Sequence, residues 1–85
     1  MSTTVNVLLL EDDPALQQLI IEELESEGHR VTAFDSVMAA QTALQTSTYD
    51  LLVTDLRLPD GDGMEVVAAS RKHGDASPAV IVITA

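Results

Sequence analysis

The sequence contains no cysteine, which removes disulfides, thiolate zinc sites, iron–sulfur clusters and thiol catalysis. It has no tryptophan and only two aromatic residues, Phe34 and Tyr49, so its core must be built from Leu, Ile, Val, Ala and Met. Cations are as scarce: Arg30, Arg57, Arg71 and Lys72 stand against fourteen acids, for a net charge of −10. Phosphate backbones and anionic lipid surfaces both demand a basic patch, so direct nucleic-acid binding and membrane association are not expected. No apolar run approaches the roughly 18 residues of a membrane span. The amino end, Met-Ser-Thr-Thr-Val, places no basic region ahead of an apolar stretch, so no signal peptide is expected. What is present is a globular composition, 46% hydrophobic over 85 residues. That is one small domain, residues 1–85, with no room for a second core, and the expected location is cytoplasmic.

Two kinds of segment alternate along the chain. Val5–Leu10 is apolar at five of six positions and reads as a strand buried on both faces. Asp13-Pro14 supplies an N-cap and a proline for the first helical position. Leu16, Leu19, Ile20 and Leu24 then form the apolar stripe of a helix that ends at Gly28. Its late glutamates, Glu22, Glu23, Glu25 and Glu27, read as a solvated face. Val31–Phe34 is a second strand. Asp35-Ser36 caps a second helix, with Val37, Met38, Ala40 and Leu44 expected inside. Leu51–Thr54 is a third strand, followed by the turn-rich Leu58-Pro59-Asp60-Gly61-Asp62-Gly63 and a third helix near Met64–Lys72. Ala79–Thr84 is a fourth strand. The order β-α-β-α-β-α-β with short connections predicts an α/β fold: a doubly wound parallel sheet with right-handed crossovers.

In such a sheet the ligand site lies beyond the carboxyl ends of the strands. The first strand ends in Glu11-Asp12-Asp13, the third in Asp55 and the fourth in Thr84. If the first and third strands are neighbours, several carboxylates converge, and like charges that close raise one another's pKa. A divalent cation removes the conflict. Hard oxygen ligands without nearby His or Cys point to Mg²⁺, with Mn²⁺ and Ca²⁺ as alternatives. Asp13 is better used as the helix N-cap. Asp62 reads as the cap of the third helix. A calcium loop over Asp60–Gly63 fails, because Leu58 and Ala69 stand where oxygen ligands are required. His29 and His73 lie near helix ends and read as surface residues.

These residues carry a resemblance. Leu8-Leu9-Leu10-Glu11-Asp12, the Asp55-to-Gly63 loop and Ile83-Thr84-Ala85 resemble the receiver domain of two-component response regulators of the chemotaxis-receiver type. The resemblance runs along essentially the whole chain. It implies a flavodoxin-like sheet, here of strand order 2-1-3-4. It also implies a phosphoryl-accepting signalling role, not that of an enzyme, with a sensor histidine kinase as donor. By resemblance Asp55 is the phospho-acceptor. Asp12 and Asp55 ligate Mg²⁺ (or Mn²⁺) directly, Glu11 through water and Arg57 through its backbone carbonyl. Thr84 contacts the phosphoryl group.

A full receiver carries a fourth helix, a fifth strand with a phosphoryl-contacting lysine, and a fifth helix. On that pattern the 85 residues are expected to be a receiver truncated after its fourth strand, with impaired phosphotransfer. Its uncovered strand Ala79–Thr84 is expected to pair with a second copy in a homodimer. The alternative function is an interaction or dimerisation module that is never phosphorylated. A phosphatase of the haloacid-dehalogenase type requires Asp-x-Asp after the first strand, and Glu11-Asp12-Asp13 lacks that spacing.

Overall fold

A computed structural model describes residues 3–83. In chain order its elements are β1 (Asn6–Leu10), α1 (Pro14–Ser26), β2 (Arg30–Phe34), α2 (Val37–Thr46), β3 (Leu51–Asp55), β4 (Arg57–Leu58), β5 (Gly61–Asp62), α3 (Gly63–Ser70), a 3-10 turn (Arg71–Ala76) and β6 (Ala79–Ile83). Strands β2-β1-β3-β6 form one sheet in that order, and every pairing is parallel. This is the flavodoxin-like order 2-1-3-4, with β6 as the fourth strand of the sequence pattern.

Two features of the middle of the chain differ from expectation. The turn-rich segment after β3 is a small antiparallel hairpin, β4–β5, pairing Arg57 with Asp62 and Leu58 with Gly61. The third helix stops at Ser70, and Lys72 falls in the 3-10 turn, which Gly74 interrupts with φ 60°.

The central strands β1 and β3 are buried from both sides because helices cover both faces. Leu8, Leu10 and Leu52 point to the face covered by α2 and α3, where Val37, Ala40, Leu44, Val66 and Val67 complete the cluster. Val7, Leu9 and Val53 point to the other face, packed by Ile20, Ile21 and Leu24 of α1. Period-2 alternation along each strand thus feeds two cores. At the amino-terminal edge Asp50 ties β1 to β3, its carboxylate accepting from the Asn6 amide at 2.9 Å and its own amide donating to the Asn6 carbonyl at 2.8 Å.

Helical periodicity overstated burial at two positions. Leu19 is 56% and Met38 73% exposed, and Leu19 lines an open apolar groove with Leu51, Val53, Ile81 and Ile83. His29 is half-buried, not a surface residue, and its Nδ1 accepts from the Val5 amide at 3.1 Å. The side chain of His73 lies outside the described residues. On β6, Ile81 and Val82 are 52% and 38% exposed, and among the described residues no strand pairs with the outer edge of this partly covered apolar strand.

Candidate metal and phosphoryl site

The carboxyl-terminal edge of the sheet assembles the acidic site from two neighbouring strands. Leu10 pairs with Thr54, so the residues that follow each, Glu11-Asp12 and Asp55, emerge side by side. One carboxylate oxygen from each of Glu11, Asp12 and Asp55 lies within 4.8 Å of the others. Register alone produces the cluster: sliding β3 by one residue would turn Asp55 to the opposite face.

Glu11 and Asp55 are fixed by their local structure. Glu11 continues β1 by donating its amide to the Phe34 carbonyl at 3.0 Å. The Gln17 side chain of α1 donates to the Glu11 carbonyl at 2.9 Å. Glu11 is 1% exposed. Its Oε2 accepts from the Asp13 amide at 2.9 Å, while its Oε1 is buried with no partner. Burial pushes the Glu11 carboxyl above the usual glutamate range, and the nearby charges of Asp55 and Asp12 push it further, against the opposing Asp13 bond. Asp12 is exposed and Asp55 half-buried. An acid held against burial and repulsion, with one oxygen orphaned inside a three-carboxylate cluster, has the electrostatics of a cation site.

Asp55 is held from the chain that follows it. The Arg57 amide donates to Asp55 Oδ1 at 3.3 Å, and the buried Thr54 hydroxyl donates to the Asp55 carbonyl at 2.8 Å. The Gly63 amide donates to the Leu56 carbonyl at 2.9 Å. Gly63 starts α3 directly against the end of β3: a Cβ there would overlap the Asp55 carbonyl oxygen and lie 2.7 Å from Thr54 Oγ1. Only glycine allows that approach.

Asp13 lies outside the cluster and caps α1, accepting from Ala15 at 2.9 Å and Leu16 at 3.4 Å. Asp62 caps α3 in a reciprocal box with Glu65, whose carboxylate accepts the Asp62 amide at 2.8 Å. The guanidinium of Arg57 is exposed, as its expected backbone role allows. Thr84 lies outside the described residues.

Three supporting roles emerge with the fold. Gln17 carries no sequence signal. Glu65 had one, since Asp62-Gly-Met-Glu65 is a capping-box pattern. Asp60 bonds 23 residues back along the chain, to Val37.

Comparison with known proteins gives one consistent result. Residues 7–85 match the response regulator receiver domain. Over 81 residues the chain is 36% identical to the swarming motility regulation protein RssB of Serratia marcescens, covering 95% of this chain and 36% of that protein. The non-phosphorylated HemR receiver domain from Leptospira biflexa superposes with a TM-score of 0.86 at 33% identity, covering 96% of this chain and 65% of that one. The receiver domain of the sensor histidine kinase PA1611 from Pseudomonas aeruginosa, solved with a magnesium ion coordinated in its active-site cleft, superposes at 0.82 with 30% identity, covering 94% of this chain and 66% of that one. The chain thus spans about a third of the first relative's length and about two thirds of the two solved domains.

Proposed function

From a chain that belongs to the response regulator receiver domain family, we propose a phosphoryl-accepting module in which Asp55 takes a phosphoryl group from a phosphohistidine with the help of Mg²⁺. The observation that carries this reading is the buried, unpartnered Glu11 Oε1 inside the Glu11–Asp12–Asp55 cluster. Asp12 and Asp55 would hold the cation directly, Glu11 through water and Arg57 through its backbone carbonyl. Bound there, a divalent ion supplies positive charge to the acidic cluster and to the transferring phosphoryl oxygens. The chain's own part is positional. The Arg57 amide and the close approach of Gly63 hold Asp55 at the sheet edge. One Asp55 carboxylate oxygen attacks phosphorus. The phosphorus–nitrogen bond breaks, its electron pair returns to the imidazole, and an aspartyl phosphate is left. Thr84, by family resemblance, would contact the phosphoryl oxygens.

Receiver domains are signalling domains, and a sensor histidine kinase is the donor we propose. The 85 residues read as the first four sheet strands and three helices of a receiver, in a cytoplasmic protein. Among the described residues no helix is long and apolar enough to cross a membrane. The acidic composition argues against contact of this segment with nucleic acid. A second reading rests on β6. Its open edge and the exposed Ile81 and Val82 favour strand pairing with a second copy, a contact that does not require phosphorylation.

Beryllofluoride, a phosphoryl mimic, tests the site. With Mg²⁺ it should shift the amide resonances around Asp55 and Asp12 of the wild type and leave Asp55→Asn unchanged. Equal shifts in both proteins would refute the assignment.

A further inference from the structure

The β4–β5 hairpin consists of two residues in each strand around a Pro59-Asp60 turn. A hairpin that short is not stable by itself, yet its base carries the amide that bonds Asp55. It is fastened to the domain by three kinds of contact. Leu58 packs against the core under α2 and α3. The Gly63 amide closes the base on the Leu56 carbonyl. At the tip, the Asp60 carboxylate accepts two amides from the first turn of α2, Val37 at 2.7 Å and Met38 at 3.1 Å.

The helix has a local cap as well. Ser36 Oγ accepts from the Ala39 amide at 3.2 Å, so the first three amides of α2 are all satisfied, two of them by the hairpin. The fit is close: a Cβ on Gly61 would meet the Glu65 carboxylate and lie 3.3 Å from Val37 Cγ2. Accepting two backbone amides favours the ionised carboxylate, and the Asp60 pKa is lowered accordingly. Capping a helix needs only a nearby Ser or Asp. An acceptor 23 residues away that takes two donors at once also holds two pieces of chain together.

We propose that Asp60 is a positioning residue for the acidic site: by clamping the β4–β5 tip to the first turn of α2, it holds the hairpin whose base orients the Asp55 carboxylate and the Arg57 backbone. The effect on cation binding rests on the Mg²⁺ reading above. The effect on the hairpin does not.

The test compares Asp60→Ala with Ser36→Ala in the full chain. Both remove a capping acceptor from α2, but only the first releases the hairpin. Amide hydrogen exchange without metal reads the hairpin, and an NMR titration with Mg²⁺ reads the site. In Asp60→Ala, exchange at Arg57 and Gly63 should accelerate about tenfold relative to Ser36→Ala, as expected for loss of a charge-assisted bond that closes a local opening. Mg²⁺ affinity should fall several-fold in Asp60→Ala and stay at the wild-type value in Ser36→Ala. Asp60→Asn, which keeps one acceptor oxygen, should recover part of both effects. Equal behaviour of the two alanine variants at Arg57 and Gly63 would overturn the proposal. Faster exchange in Asp60→Ala together with no saturable Mg²⁺ shift in the wild type would uphold the clamp and reject the cation site.

Discussion

Replacing Glu11 by Gln should stabilise the metal-free protein, although it alters a nearly fully buried side chain. One carboxylate oxygen from each of Glu11, Asp12 and Asp55 lies within 4.8 Å of the others. At that distance two unit charges repel by about 3.5 kcal/mol at an effective dielectric of about 20, and by about 0.9 kcal/mol in bulk water. Glu11 is 1% exposed and Asp55 half-buried, so their pair lies toward the first figure. Asp12 is exposed, so its pair with Glu11 lies toward the second. Gln keeps an oxygen for the Asp13 amide and turns an NH₂ donor toward the two remaining acids. The expected gain is about 1–3 kcal/mol, or roughly 5–20 °C in Tm for a domain of this size. The sign with pH follows from the raised Glu11 pKa. The penalty is complete above the folded-state value, shrinks as pH falls through it, and is gone below the ordinary glutamate value of 4.5. The stability difference between variant and wild type should therefore be largest near neutral pH and vanish in acid. Mg²⁺ should reverse the order of effect, raising the wild-type Tm more than that of Glu11→Gln. Thermal melts in chelator and in Mg²⁺ across pH provide the assay. A metal-free Glu11→Gln that melts at or below the wild type at neutral pH would refute the electrostatic account.

Gly63→Ala should cost about 1–3 kcal/mol in a urea melt, as overpacking does, because its Cβ falls on the Asp55 carbonyl. Mg²⁺ shifts at Asp55 should weaken with it. Asp60 supplies the opposite pH dependence to Glu11. Its folded-state pKa is lowered, so its contribution is present above the ordinary aspartate value of 3.8 and is lost as pH falls through the folded value. Asp60→Asn should flatten that acid limb of the stability curve, and an unchanged limb would count against the α2 clamp. Light scattering at micromolar concentration should find a dimer that Ile81→Lys dissociates. A wild-type monomer, or a dimer indifferent to Ile81→Lys, would remove the β6 pairing.

Much of this was legible because buried parallel strands are written as continuous apolar runs. Leu8-Leu9-Leu10 and Leu52-Val53 identify central strands without any periodicity, and the acids that terminate them mark the edge where the carboxylates cluster. Asp13, Ser36 and Asp62 announce the helix starts through local capping chemistry, and all three cap as expected. What stayed hidden depends on tertiary placement. Whether Leu19 and Met38 are covered depends on what packs over their helix faces in the folded chain. The β4–β5 strands are too short to carry a pattern. The Asp60 bonds to α2 and the His29 bond to Val5 join residues more than twenty positions apart, at distances no spacing rule reports. The unpartnered Glu11 Oε1, the strongest indication of a cation, exists only once the chain has folded around it.

The most direct measurement is intact mass after incubation with phosphoramidate, a small phosphoryl donor with a phosphorus–nitrogen bond, with Mg²⁺ and with chelator. One phosphoryl adduct is expected on the wild type, mapped to the peptide containing Asp55, dependent on Mg²⁺ and absent from Asp55→Asn. An adduct retained by Asp55→Asn, or formed equally in chelator, would contradict that expectation.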